Sequence, residues 1–379
     1  MYDAIVVGAR CAGSPTAMLL ARAGHRVLLV DRAELPSDTL STHFIHPSGI
    51  AQLKRWGLLP RIAAAGAPAI PHYTLDVGPF ALRGTPPPLD GASDAYCVRR
   101  TVLDHILATE AAAAGAEVRL GFPVDGLLTE GGRVTGIRSR DRTERARIVI
   151  GADGMGSLVA REVGAPAYDE AAPLTCAYYT YWRGVDMAGA ELYVRDGNAI
   201  IAAPTNDGLV VTIVFWPNAA FHGVRADVEG AFLAALDRAP SLAARVRAGE
   251  RADRFRGTAR LANFRRRPYG DGWALVGDAG YHKDPILAVG IGDAFRDAEL
   301  LADAIGTGDL TGYERRRDER SEASYRQTLE FAALQPPPPP MQELLASLRD
   351  RPAERDQFFG TLAGTVTPPR RLATPSGVA

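Results

Sequence analysis

The first apolar cluster is a short uninterrupted run, Asp3 to Val7, with Ile5, Val6 and Val7 at its end and Gly8 directly after. Consecutive apolar positions predict a strand buried on both faces, as in parallel sheets. Ala17 to Ala23 then carries helical spacing and stops at Gly24, a residue suited to the position after a helix end. Arg26 to Val30 is a second β-rich run, and it closes on Asp31. The middle of the chain, 165–270, reads mostly as strands: Cys176 to Arg183, Glu191 to Val194, Ala199 to Ala203 and Leu209 to Phe215. Turn signals separate them at Asp196-Gly197 and Asn206-Asp207-Gly208, and Val228 to Leu236 reads as a helix.

Strand, glycine turn, helix, strand and terminal acid is the order of a dinucleotide-binding unit. Gly8 permits the tight turn, Gly13 lets helix and strand approach, and the helix N-terminus offers N–H groups to a pyrophosphate. Asp31, with Arg32 beside it, is placed to accept hydrogen bonds from ribose hydroxyls. The turn reads Gly8-Ala9-Arg10-Cys11-Ala12-Gly13, with Arg10 where a middle glycine is usual. A guanidinium there can pair with phosphate oxygens. A non-nucleotide α/β turn is the bland alternative.

Two later strand-like runs end on similar signatures. Arg147 to Ile150 leads into Gly151-Ala152-Asp153-Gly154, then a helix-like segment through Arg161. Trp273 to Val276 leads into Gly277-Asp278-Ala279-Gly280, continuing through Asp284-Pro285 and Gly290-Ile291-Gly292-Asp293-Ala294 into a helical stretch, Phe295 to Ile305. Val98-Arg99-Arg100-Thr101-Val102-Leu103-Asp104 opens another helical run through Ala114.

In this set the chain resembles the FAD-dependent family of para-hydroxybenzoate hydroxylase and the related geranylgeranyl reductases, over roughly residues 1–310. The resemblance implies an α/β fold: a Rossmann-like FAD-binding domain, a parallel sheet with helices, interleaved with an antiparallel-sheet substrate domain and a helical C-terminal end. The domains expected are 1–165 with 265–310 for FAD, 166–264 for substrate and 311–379 for the C-terminal end. The 60–100 segment is open to either of the first two. The resemblance further implies that Asp278 bonds the ribityl chain and that Asp153 lies near the pyrophosphate. It puts Arg100 near the FAD, and Gly290, Ile291 and Gly292 at the flavin pyrimidine edge. Cys11 and Ala12 complete the phosphate turn, and Gly277 precedes the ribityl acid. Two departures stand out: Tyr281, followed by His282, replaces the usual histidine, and Gly292 stands where an asparagine is frequent. Asp153-Gly154 and Gly277-Asp278 are also ordinary turn and cap dipeptides.

The candidates for chemistry are weaker. Tyr178, Tyr179, Tyr181 and Trp182, with Phe215 and Trp216, suit an aromatic cavity wall. Alternation sends Tyr179 and Tyr181 to one face and Tyr178 and Trp182 mostly to the other. His43 and His46 lie where the family approaches the flavin ring, as proton donors, attachment points or simply packed polar residues. Lys54 and Lys283 are the only lysines. A lysine retained at 283, beside the predicted flavin with His282 and Pro285, reads as a wanted compact ammonium or as chance.

Composition narrows the class. The chain has 379 residues, 46% hydrophobic and 23% charged, with a formal net charge of -1. That balance gives no reason to expect nucleic acid or an anionic membrane as partner. Three separated cysteines, Cys11, Cys97 and Cys176, argue against a disulfide framework or a zinc site, so no metal is expected, and fit a reducing cytoplasm. No signal peptide is read at Met1, and no apolar stretch reaches the roughly 18–20 residues of a membrane span. Nothing in the sequence sets an oligomeric state. Past residue 310, Arg315 to Leu334 is helix-compatible, and Pro336 to Pro340 predicts a stiff polyproline connector. Met341 to Leu348 and Ala353 to Phe359 read as short helices, and Thr365 to Ala379 as a disordered tail.

The function expected is an FAD-dependent monooxygenase of bacterial secondary metabolism, such as antibiotic biosynthesis. It would use NAD(P)H and O2 to hydroxylate or epoxidise an apolar or aromatic small molecule through a flavin C4a-hydroperoxide. The alternatives are an FAD-dependent reductase or dehydrogenase acting on an isoprenoid or polyketide double bond, and a non-catalytic flavin- or ligand-binding protein.

Overall fold

The computed structural model describes residues 1–367; most of the expected tail, 368–379, lies outside the described residues. The strand Tyr2–Val7 is the centre of a parallel sheet, flanked by Val27–Val30 on one side and Arg142–Gly151 on the other. Glu117–Arg119 and Trp273–Leu275 extend it at its two edges. Ile5, Val6, Val149 and Ile150 are buried because helices cover one face and a β-meander the other. The helices Gly13–Arg22, Arg100–Ala113 and Gly290–Thr307 form the first layer. The meander, Gly126–Glu130, Arg133–Ser139 and Arg142–Gly151, forms the second.

The second large sheet is mostly antiparallel. Its central strands run in the order Thr175–Arg183, Leu209–Pro217, Asn198–Pro204 and Ala190–Arg195. Tyr73–Asp76 and Ala81–Gly84, from the 60–100 segment, complete its edge, Tyr73–Asp76 pairing parallel to Ala190–Arg195. Alternation divides Thr175–Arg183 between two cores. Cys176, Tyr178 and Trp182 pack under the helices Val228–Asp237 and Pro240–Ala248. Ala177, Tyr179 and Tyr181 face the other way, towards Phe44, Cys97, Ile286 and the C-terminal helices.

The C-terminal end is a 23-residue helix, Leu310–Ala332, followed by Pro339–Ser347 and Pro352–Leu362. The pentaproline is not a uniform connector. Pro338 has the extended φ −63°, ψ 155° expected of polyproline, but Pro339 and Pro340 open the next helix. Proline suits those first positions, where its missing N–H has no helical partner to lose.

The tightest point of the fold is the first turn. Gly8 has φ +110°, and a Cβ there would stand 2.4 Å from the Ala152 carbonyl oxygen. A Cβ on Gly13 would meet the Gly8 oxygen at 1.8 Å. Gly13→Ala should therefore destabilise by at least about 1–3 kcal/mol through overpacking, measured by urea unfolding. An unchanged midpoint would mean that helix and strand do not approach this closely.

Candidate active site

Four loops leave the carboxyl ends of the parallel strands together: after Val7, Val30, Gly151 and Leu275. Between them and the antiparallel sheet lies a cleft of about 1050 Å³. That is at the upper end of the ~300–1,000 Å³ typical of ligand pockets, room for a long cofactor and a neighbour. This is the crevice outside the strand ends where open α/β sheets bind ligands.

At one end sit Asp31, Arg32 and Phe122. The Asp31 carboxylate accepts from the Ala9 and Ala33 N–H groups at 2.7 and 2.8 Å, fixing the glycine turn. A carboxylate has about four lone-pair sites, so two remain for hydroxyl donors in the cleft. Gly8, Arg10, Cys11 and Ala12 line the next stretch. Arg10 does not point a free guanidinium at it: Nη1 donates to Asp104 at 2.7 Å and Nη2 to the Ser37 hydroxyl at 2.9 Å. Asp104 is fully buried and also accepts from Arg100 Nε at 3.0 Å and the Cys11 thiol at 3.4 Å. The site motif of the N-terminal turn is thereby tied to the helix Arg100–Ala113. The role of Asp104 went unread in the sequence, although its i,i+4 spacing from Arg100 was the available signal.

Asp153 lines the cleft, but its carboxylate serves as a helix cap, accepting from the Leu158 and Val159 N–H groups at 2.7 and 3.2 Å and from the Ser157 hydroxyl. Gly277 has φ +59°, and a Cβ there would stand 2.6 Å from Ala12 Cβ, so the late turn closes directly onto the first. Asp278, next to it, is exposed in the cleft and has no hydrogen-bond or ion-pair partner among the described residues. Gly290 and Ile291 open an 18-residue helix at the other end of the cleft, and nothing lies within 4 Å of where a Gly290 Cβ would project. The first-turn N–H groups of such a helix attract negative charge.

The remaining expected residues divide. Tyr179, His282, Lys283 and Pro285 line the cleft with Ala177, Ile213 and Phe215. Four do not reach it. Gly13 is enclosed by Gly8 and Ala152, and Gly292 packs against Gly49 of a neighbouring helix. His43 and Tyr181 lie behind the wall, where His43 Nε2 and the Tyr181 hydroxyl are 2.9 Å apart. Lys283 is no free ammonium: it donates to Tyr281 at 2.8 Å, Ser324 at 2.6 Å and Asp293 at 2.8 Å, which uses all three protons. Burial pushes the Asp293 carboxyl up, but the Lys283 and Arg296 charges beside it hold it below the usual carboxylate range. His282 gives Nδ1 to the Ala262 carbonyl and stacks on Phe264. His46 is also structural. Its Nε2 donates to the Leu287 carbonyl at 3.0 Å, which leaves Nδ1 to accept from the Tyr73 hydroxyl at 2.8 Å.

An unpaired acid at mid-cleft, a glycine-opened helix end and a ribose-type acid fit a flavin dinucleotide, and the FAD-binding-domain family model matches residues 1–324. The chain belongs to that family. It is an FAD-dependent oxidoreductase of the superfamily that includes geranylgeranyl reductases and FAD monooxygenases. Digeranylgeranylglycerophospholipid reductase 2 of Methanopyrus kandleri is 29% identical over 361 residues, covering 87% of this chain and 85% of that protein. Two further relatives are each 33% identical over shorter stretches. The probable electron transfer flavoprotein-quinone oxidoreductase YdiS of Escherichia coli matches 44% of this chain and 40% of its own length. The rifampicin monooxygenase of Streptomyces venezuelae matches 43% and 34%. Among solved structures, the flavin-dependent brominase Bmp2 superposes with a TM-score of 0.83 at 20% identity, covering 96% of this chain and 93% of that one. That likeness establishes the fold. No helix among the described residues of this flavoprotein is long and apolar enough to cross a membrane.

Two outcomes follow from this geometry. The wild type should purify with bound FAD, and Asp278→Ala should lose most of the flavin absorbance while keeping its far-UV circular dichroism; full retention of flavin would remove Asp278 from the cofactor site. The second concerns His43, whose pKa burial lowers to about 3, against about 6.5 in an unfolded chain. Between those values the unfolded state binds the proton first, so stability is complete above pH 6.5 and is lost as pH falls. The loss between pH 6.5 and 5 should be roughly 2 kcal/mol, read from urea unfolding at the two pH values. His43→Gln should show a shallower dependence, and parallel slopes would contradict it.

Proposed function

We propose that this flavoprotein is an NAD(P)H-dependent monooxygenase that hydroxylates or epoxidises an apolar or aromatic small molecule in secondary metabolism. The observation that carries the reading is the wall opposite Asp278 and Gly290. It is built largely from Ala177, Ile213, Phe215 and Leu261, with Tyr179 and Thr258 as its hydroxyl-bearing members. Bound FAD would supply hydride acceptance and O2 activation. Asp31 would hold the ribose, Asp278 the ribityl chain, and the Gly290 and Ile291 N–H groups the pyrimidine edge, favouring negative charge on the reduced ring. Arg100 lines the same cleft with its guanidinium held by Asp104, placing fixed positive charge near the centre. The apolar wall excludes water and orients substrate, so rate enhancement rests on positioning rather than on a side-chain acid or base.

A second reading is favoured by the near full-length likeness to the Methanopyrus kandleri reductase: reduction of an isoprenoid or polyketide double bond in the same cleft. Oxygen consumption separates the two. Monooxygenation predicts one O2 taken up per product formed with NADPH or NADH as reductant, and no product under argon. Equal conversion without O2 would overturn it and leave the reductase.

A further inference from the structure

The large sheet carries one stripe of directly paired side chains that the flavin cleft uses only in part. Tyr179 is opposite Ile213, Ile213 opposite Ile201, Ile201 opposite Leu192, and Leu192 opposite Leu75. Opposed residues on neighbouring strands share a face, so this stripe crosses five strands without a break. Tyr179 and Ile213 line the flavin cleft. Ile201, Leu192 and Leu75 line a second hollow of about 70 Å³. The turn Pro285–Leu287 and Ala288 roof both: Pro285 faces the cleft, Ile286 and Leu287 face the hollow, and Ala288 borders each. His46 pins that roof through the Leu287 carbonyl. Phe359 and Leu362, from the C-terminal helix, close the hollow's outer side.

The near end of the stripe is polar. The Tyr179 hydroxyl is buried without a hydrogen-bond partner among the described residues, in a residue only 4% exposed. Buried hydroxyls are almost always paired, so an unpaired one on a cleft wall marks where a ligand group completes the bond. The far end is narrow. About 70 Å³ is under half of the roughly 150 Å³ that admits benzene, so it takes a slender aliphatic chain and no ring. From Tyr179 to Leu192 is three strand spacings, about 14 Å at ~4.8 Å each.

We infer that the substrate is elongated and amphipathic, with a hydroxyl- or carbonyl-bearing head on Tyr179 beside the flavin and an aliphatic tail laid over Ile213 into the hollow at Leu192. This rests on the cleft being a flavin-and-substrate site, and it narrows the substrate class given above to a shape.

The test is binding, so it is independent of whether the reaction uses O2. Oxidised holoenzyme is titrated with 4-alkylphenols from methyl to nonyl, following the perturbation of the flavin absorbance. Affinity should rise about fourfold per added methylene, equivalent to ~0.8 kcal/mol, and then level off. Leu192→Trp should bring the plateau several carbons earlier and leave the shortest members unchanged. Tyr179→Phe should weaken every member two- to tenfold with the chain-length slope intact. Should Leu192→Trp fail to retain FAD, Ile201→Phe narrows the same hollow. The inference is overturned by a series that does not bind, by affinity independent of chain length, or by a slope that survives the filled hollow. A chain-length effect seen alongside O2-independent turnover would keep the tail site and discard the monooxygenase.

Discussion

Gly8, Gly13 and Gly277 let three chain segments, far apart in sequence, close on one another with no side chain between them. Gly8 touches the Ala152 backbone, Gly13 touches Gly8, and Gly277 touches Ala12. Because all these contacts lie at the carboxyl ends of parallel strands, they gather Asp31, Asp153 and Asp278 around one crevice. These three acids of the cleft are placed by that junction. A methyl group at any of the three would push apart the loops that carry the acids.

Beyond the junction, the far end of the cleft is held by buried polar ties. Asp293 in the first helical turn binds Lys283 and Arg296, and Arg296 reaches Asp297 at 3.0 Å. Arg317, fully buried on the long C-terminal helix, donates to the Arg266 carbonyl and the Tyr168 hydroxyl. Such pairs add little net stability, but losing one partner strands a buried charge at a cost of several kcal/mol. They therefore fix where the Gly290 helix starts relative to the sheet, and with it the shape of that end of the cleft.

Much of this was legible in the sequence, and the reason is local. Ile5-Val6-Val7, the glycine turns and Asp31 are set by backbone requirements within a few residues, so pattern and turn chemistry suffice. The strands from Cys176 to Phe215 and the opposite facing of Tyr178 and Tyr179 follow from a period of two. What the sequence hid depends on partners distant in the chain. Lys283 read as an available ammonium because Ser324 and Asp293 could not be seen to saturate it. Asp153 is a local exception: it lines the cleft, and its commitment to the helix end at Ser157 to Val159 was within reach of cap chemistry but was not read. His43 and Tyr181 sit one layer behind the wall, and alternation specifies a face but not a depth. The helix Pro240–Ala248 and the first two meander strands, Gly126–Glu130 and Arg133–Ser139, were not anticipated, since none carries a motif.

The pairing of Arg10 with Asp104 has an evolutionary side. Asp104 is shared by two arginines, one from the glycine turn and one from a helix, so the three positions together carry one net positive charge. Returning residue 10 to the glycine of the common fingerprint would alter the balance that Asp104 and Arg100 now share. Substitutions in this trio are therefore expected to be non-additive, each tolerated only against the right background. Coupling of this kind ties the arginine at the middle-glycine position to a helix residue 94 positions away in the chain, so the residue that departs from the fingerprint also braces the turn.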